Sequence, residues 1–493
     1  MESEKEAIQH LDGGEVPSSR DEEEFTWTEE EETRVRHKID WNTVPLVTVL
    51  YMFCFLDRIN IGNALIQGLA AELDLRIGFR INWAICIFYI IYLLVEVPSN
   101  IILKRVGPRF WIPFLVTGFG IVTIGMAFVK SFEGLLVARA ILGIFEGGTF
   151  PGIAFFLSSF YKREELLFRV GIYVSAASFA GAFGGLLAAG LSQVPRWGAA
   201  GAQIYQWRNI FFFEGLITVI IGCLAPIWLP SSPAQAKFLT PREQRIAATR
   251  LLIEHRENPE PVVEVRHIKR AFLCIHNYTC ALGFFLINIT VQGLSVFMPT
   301  IIAEMKIDVN PQLLTVPPYV AACLVAVAVA YVSDKTKRRG IYLAIFAVPA
   351  MIGFALLRWY TDKAGVRYMA IFFITVGAFP GGPAFLSWAI NNTSGPAVRA
   401  VSSAWVVTLG TIGGILAAWA YIESDKAAGY PIGHNINFSG QVVVFFLSIF
   451  GMTYCAWENK KRRDGKRDYR LEGLNEFEAR DLGYRHPNFR YII

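Results

Sequence analysis

Two short stretches place ionisable residues among apolar neighbours. The first is Leu56-Asp57-Arg58-Ile59-Asn60-Ile61-Gly62-Asn63. Asp57 and Asn60 are three apart and share a helix face, whereas Arg58 points about 100 degrees away. A guanidinium facing a cavity can hold a carboxylate through two parallel hydrogen bonds. An ion pair that only joins helices, or caps the outer end of the span, is the plainer alternative. The second stretch is Arg139-Ala140-Ile141-Leu142-Gly143-Ile144-Phe145-Glu146-Gly147-Gly148. Arg139 and Glu146 lie two turns apart on one face, and Gly143 and Gly147 permit close helix approach. A carboxylate in a desolvated crevice holds its proton to higher pH than one in water. Asp57 and Glu146 are therefore candidates for proton coupling. The alternative for Glu146 is a structural salt bridge with Arg139 or a base on another helix.

Further buried polar residues could line a binding site. They are Tyr89, Tyr92 and Glu96, then Asn288 and Gln292, then Trp388, Asn391 and Asn392. Each alone is more often a packing or interhelical hydrogen-bonding residue. As a set with Arg58 and Asn60 they suggest a ligand with polar and ring character. Glu214, in Trp207-Arg208-Asn209-Ile210-Phe211-Phe212-Phe213-Glu214-Gly215, reads as structural.

These residues need elements to hold them, and composition says what kind. Of 493 residues, 54% are hydrophobic and only 18% charged, against about 25% charged in a soluble chain. The charges gather at the two ends, in a central stretch, and in knots between apolar runs. Twelve apolar segments are long enough to cross about 30 Å: 43–64, 82–103, 110–129, 134–157, 170–192, 207–229, 272–298, 313–333, 340–359, 367–391, 399–421 and 440–458. The reading is an all-α membrane protein. Lys104, Arg105 and Arg109, then Lys162, Arg163 and Arg169, and later Lys335, Lys337, Arg338 and Arg339 fall in loops of one side. Basic residues are retained on the cytoplasmic side, so both termini are expected there.

Residues 1–40 are polar and acidic and are expected to be a disordered cytosolic tail. Residues 41–229 and 272–458 are read as two six-helix bundles, 230–271 as a cytosolic linker with an amphipathic helix, and 459–493 as a cytosolic tail. Gly143-Ile144-Phe145-Glu146-Gly147-Gly148 aligns with Gly377-Ala378-Phe379-Pro380-Gly381-Gly382, and the basic knot at 104–109 aligns with Ser333–Arg339. Two matches at nearly one offset argue for duplicated halves that rock about a midplane site. The loop residues Arg105, Asp334 and Arg338 are candidate gating residues, with simple positive-inside anchoring as the alternative. Asn437-Phe438-Ser439 is a glycosylation sequon expected in the last outer loop.

The seven cysteines form no CxxC pair and lie in or beside apolar runs, so neither disulfides nor a zinc site are expected. With no phosphate loop, metal cluster or nucleophile triad in the sequence, an enzyme is the weakest reading. No cofactor, metal or nucleic-acid partner is expected, and a monomer is.

The paired halves and the Asp334-Lys335-Thr336-Lys337-Arg338-Arg339 loop resemble the major facilitator superfamily. Leu56-Asp57-Arg58 with Asn60, Gly62 and Asn63, Arg139 with Gly143, Glu146, Pro151 and Gly152, and Trp207-Arg208 with Phe213-Glu214-Gly215 resemble its anion:cation symporter branch. Leu229-Pro230-Ser231-Ser232-Pro233 with Phe238-Leu239-Thr240 is similar to its fungal allantoate permease and nicotinic acid transporter members. The likeness runs from about residue 40 to 460. It implies proton symport of a small organic anion across the plasma membrane, a carboxylate such as nicotinate, allantoate or pantothenate. It also implies protonation at Asp57 and Glu146 and anion binding at Arg58. One position departs from the superfamily pattern: Lys104 stands where the first loop usually has an acid, and only the second copy keeps one, Asp334. Export of a secondary-metabolite acid, and a nutrient receptor built on the same fold, remain open alternatives.

Overall fold

The computed structural model describes residues 27–199, 203–257, 265–360, 363–394, 396–474, 479 and 482–493. Among them twelve helices are long and apolar enough to cross a membrane: Glu29–Glu72, Arg80–Val106, Pro108–Met126, Phe132–Ser158, Arg169–Leu191, Trp207–Trp228, Ile275–Ala303, Pro311–Ser333, Gly340–Trp359, Ala364–Asn391, Val401–Ala420 and Pro431–Arg463. These are called spans one to twelve. Among the described residues no strand forms, only an isolated bridge between Trp197 and Ile204. An even number of crossings puts Trp27 and Ile493 on one face, the termini face.

The duplication is visible in the packing. Across the two halves, span two packs on span eleven and span five on span eight. Exchanging each span of the first pair for its counterpart six places away in the other half, two for eight and eleven for five, gives the second pair, as a two-fold relation between halves requires. Spans four and ten are both broken at corresponding places, into Phe132–Glu146 with Thr149–Ser158 and Ala364–Ala378 with Gly381–Asn391. Broken helices at matching positions are a common way to build a midplane site.

The first helix begins earlier than the sequence reading placed it. Residues 29–40, assigned there to a disordered tail, are the first turns of Glu29–Ala64. Thr28 and Glu31 form a capping box, and four glutamates occupy the first turn, where the helix dipole favours them. Val35 and Ile39 are fully buried. Ion pairs sew this extension to the first half: Arg169 to Asp40 at 2.6 Å, Lys162 to Glu32 at 2.6 Å, and Lys38 to Glu243 at 2.5 Å. Glu243 belongs to the linker helix Pro241–Glu257. Residues 1–26 lie outside the described residues.

Asn437 also differs from expectation. It lies inside the helix Pro431–Arg463, not in a loop, and is 1% exposed. Its amide donates to the Gly433 carbonyl at 2.9 Å and its oxygen accepts from the Thr290 hydroxyl at 2.8 Å. A side chain so enclosed cannot present itself for glycosylation.

The halves are joined most closely away from the termini face. Asn82 donates to the Ala418 and Tyr421 carbonyls at 2.6 and 2.9 Å, and Gln312 bonds Gln67 and the Asn63 carbonyl at 3.1 and 3.3 Å. Gly62 packs its bare backbone against the Val296 carbonyl of span seven, where a methyl group would collide with it. Gly62→Ala is therefore expected to part the halves at this end. In a Cys223→Ser background, Ser295→Cys, at a position only 2% exposed, should resist an impermeant maleimide, and adding Gly62→Ala should raise labelling several-fold. Equal labelling of the two variants would show that this seal does not depend on Gly62.

Candidate functional site

Spans one, two and four meet at a buried charge pair. Arg58 Nε donates to Glu146 Oε2 at 2.7 Å. The Cys54 thiol donates to the same oxygen at 3.3 Å, and Arg58 Nη2 reaches Cys54 Sγ at 3.5 Å. The guanidinium lies over the rings of Tyr92 and Phe88, 4.9 and 5.5 Å from their centres. Phe88 also carries Arg139, whose guanidinium is 4.9 Å from the ring and whose Nε donates to the Ala84 carbonyl at 3.2 Å. Electron-rich ring faces and one carboxylate thus replace part of the water that two buried cations have lost.

Glycine makes this contact possible. A Cβ at Gly143 would meet the Phe88 carbonyl oxygen at 2.7 Å, and one at Gly147 the Tyr92 carbonyl oxygen at 2.7 Å. Span four therefore lies directly on span two, and Glu146 arrives at the last residue before the helix breaks.

The helix geometry of span one divides its charges as the spacing predicts. Arg58 goes to Glu146, while Asn60, on the Asp57 face, donates to Glu214 of span six. Asp57 is 1% exposed and neither of its oxygens has a hydrogen-bond partner. Glu146, Thr123, Arg139 and Asn60 surround it. The Thr123 hydroxyl is used on the Phe119 carbonyl at 2.9 Å. Arg139 Nη1 and Glu146 Oε1 are likewise buried without a partner. Of the two partners the sequence offers Glu146, Arg139 or a base on another helix, the bond is made by the second, Arg58 of span one.

A cavity of about 120 Å³ lies between the halves. Span one lines it with Tyr51 and Phe55, seven and three residues before Arg58 and so on the Arg58 face. Span seven contributes Asn288 and Gln292, and span ten contributes Ser387 and Ile390. Tyr89 Oη donates to Gln292 Oε1 at 2.9 Å and bridges the halves beside it. Asn288 uses its amide on the Phe284 carbonyl at 2.9 Å. The lining comes from the middle of spans one and seven and from the parts of spans five and ten nearest the termini face, so the cavity lies on the termini side of the seal.

Trp388, Asn391 and Asn392 do not line this cavity. They hold the C-terminal segment. Trp388 Nε1 and Asn392 Nδ2 both donate to the Ile492 carbonyl at 2.9 Å, and Ile492 N donates back to Asn392 Oδ1 at 2.7 Å. With its amide oxygen turned to the guanidinium, Asn391 accepts from Arg339 Nε and Nη2 at 3.1 and 3.0 Å. Arg339 N donates to the Ile493 carbonyl at 2.8 Å. Asn459 exchanges two 2.8 Å bonds with the Tyr491 backbone, and Arg462 sits 4.6 Å from the Tyr491 ring. Residues 482–493 are thus stitched to spans ten and twelve, not left as a solvated tail. The loop residues Arg105 and Arg338 are exposed, and the Asp334 side chain lies outside the described residues.

Sequence reasoning passed over Cys54 and Phe88. Both carried a signal: Cys54 is four residues before Arg58 and Phe88 four before Tyr92, one helical turn in each case. The partners of Asn392 carried none, because Ile492 lies 100 residues downstream and His276 116 upstream. Asn392→Ala removes four polar contacts, one of them to His276 Nε2 at 2.9 Å. The Ile492 carbonyl keeps Trp388, but the half-buried Ile492 N–H loses its acceptor at a cost of about 1 kcal/mol. Limited proteolysis after Arg485 should become several-fold faster than in the wild type. Unchanged cleavage would show that the segment is held by other contacts.

Residues 47–418 match the family model described as Major Facilitator Superfamily. The chain is similar to the MFS-type transporter cnsO of Penicillium expansum, 32% identical over 489 residues and covering 93% of this chain and 90% of the relative. It is 29% identical over 433 residues to the high-affinity nicotinic acid transporter of Saccharomyces cerevisiae, covering 88% of this chain and 79% of that one. Its fold resembles the inward-open xylose transporter XylE from E. coli, with a TM-score of 0.62, 16% identity, and coverage of 82% and 94% of the two chains.

Proposed function

Because this chain belongs to the Major Facilitator Superfamily, we propose that it is a proton-coupled carrier that takes a small organic anion inward across the plasma membrane. The fold is that of a multi-pass membrane transporter, not an enzyme. The observation that carries the finer reading is the buried Arg58–Glu146 pair, which does not itself line the cavity between the halves but lies behind it, one turn along span one from the lining residue Phe55. Lys and Arg in the loops of the termini face favour a cytosolic position for both termini. The relationship to a nicotinic acid transporter supports a carboxylate as cargo.

The geometry supplies a coupling scheme. Arg58 has one strong anionic partner, Glu146 Oε2. A proton added to Glu146 cancels that charge, and the guanidinium is then free to take a carboxylate through its fork. Loss of the proton lets Glu146 reclaim Arg58 and displaces the cargo. The Glu146 carboxylate and the cargo carboxylate thus alternate on one cation, with the proton on Glu146 whenever the cargo is bound, which keeps the site neutral at each stage inside a low-dielectric bundle. Asp57 lies beside Glu146 and Arg139 and serves as the second proton acceptor. Asn288 and Gln292 of the second half offer amides to the polar edge of the cargo, Tyr89 positions Gln292 through its hydroxyl, and the Tyr92 ring supports the Arg58 guanidinium.

The test is uptake by reconstituted protein. An inward proton gradient should raise nicotinate accumulation in vesicles at least several-fold, and Arg58→Ala should abolish it. Glu146→Gln should leave accumulation insensitive to the gradient. Wild-type accumulation that persists after the gradient is collapsed with an ionophore would overturn proton coupling.

A further inference from the structure

The first half buries one more carboxyl than the scheme above uses. Glu214 of span six is 0% exposed. Its Oε2 accepts from Asn60 Nδ2, and its Oε1 has no partner. Asn60 Oδ1 and both amide atoms of Asn63 are also buried and unpartnered. Asn60 bonds Glu214 and lies on the Asp57 face, and each of these three residues carries a buried polar atom without a hydrogen bond. They make a small polar chamber, and Asn63 lies about one turn further along span one.

A charge count decides the state of that chamber. Two guanidinium groups are buried here, Arg58 and Arg139, against three carboxyls, Asp57, Glu146 and Glu214. Arg58 is taken by Glu146 at 2.7 Å. Arg139 is the cation beside Asp57 and Glu146. The groups that reach Glu214 are the Asp57 carboxyl and the Asn60 amide. Span three packs on span six and offers Thr123, and its charged residue Arg109 is at the far end of that helix, bonded to the Pro226 carbonyl. On span six itself, Arg208 is two turns away and pairs with Glu72 at 2.6 Å. Span five brings no charged residue between Tyr173 and Leu191. An ionised Glu214 would stand beside a second carboxyl with one neutral donor, and burial without a counter-charge favours the neutral acid.

We propose that Glu214 is a third proton-carrying residue of the transport cycle, exchanging its proton with Asp57 beside the Asn60 amide. In the exchange an O–H bond breaks at Glu214 and one forms at an Asp57 oxygen, so the pair holds one proton and one negative charge until that proton leaves Asp57 with the released cargo. Asn60 holds the Glu214 carboxyl by donating to Oε2, which leaves Oε1 as the oxygen that bears the proton. Three carboxyls against two guanidiniums then balance with one proton aboard, and a second proton on Glu146 frees Arg58 for the anion. The proposal rests on the proton-coupled reading above but adds a site to it.

The experiment has two arms, both on the full chain. In infrared difference spectra of the purified protein stepped through pH, the wild type should show the C=O stretch of a buried protonated carboxyl. Glu214→Gln should lose that band, and Asp57→Asn should shift it because the exchange partner is gone. Identical wild-type and Glu214→Gln spectra would overturn the proposal, whatever the cargo. In proteoliposomes, protons and nicotinate are counted together. Glu214→Gln should lower the number of protons moved per nicotinate by about one, and Glu214→Asp should restore it. An unaltered ratio in Glu214→Gln would overturn the proposal, whereas a wild type that moves no protons would instead overturn the coupling itself.

Discussion

Burying Arg58 is the constraint around which the first half is built. A lone charge at the bilayer centre costs at least about 2.5–3.5 kcal/mol, and its neighbours must return that. Here the return is shared among Glu146, the Cys54 sulfur and the faces of Phe88 and Tyr92. Each contributor imposes its own demand. Glu146 must arrive at a helix break, the two rings must stand one turn apart on span two, and span four must lie close enough for Gly143 and Gly147 to touch the carbonyls of that helix. The glycines are therefore part of the electrostatics as much as of the packing.

The same economy explains why a carrier can be built from so few polar residues. A buried pair of opposite charge resists separation strongly, but it separates readily once one member is neutralised. In the proposed cycle protonation of Glu146 is that neutralising step, and a second anion then occupies the place that was vacated. The rest of the bundle need only hold two arrangements of rigid halves. The seal on the side away from the termini, made by Asn82, Gln312 and Gly62, and the cavity on the other side describe one of these arrangements.

Much of this was legible in the sequence where local geometry governs it. Twelve apolar runs announce twelve helices, and a spacing of one residue is enough to separate Asp57 from Arg58. What stayed hidden depends on distant chain or on a signal masked by composition. The acidic run Glu29–Glu32 reads as a disordered tail until Thr28 and Glu31 are seen as a capping box. Trp388 and Asn392 look like ligand residues on an apolar helix because their real partner, the backbone of Ile492, has no counterpart in the local pattern. Asn437 presents a sequon, but its helix extends nine residues further toward its start than hydropathy alone indicates.

Each end of the chain is fastened to its own half. The helix extension from Glu29 is tied through Asp40 and Glu32 to Arg169 and Lys162, and through Lys38 to the linker helix Pro241–Glu257. Residues 482–493 are tied to spans ten and twelve, and Tyr484 reaches the Arg270 carbonyl on the second linker helix, Val265–Phe272. The two linker helices are thus tied to different halves. A molecule fastened in this way carries these fastened segments as ballast, one on each arm of a rocker.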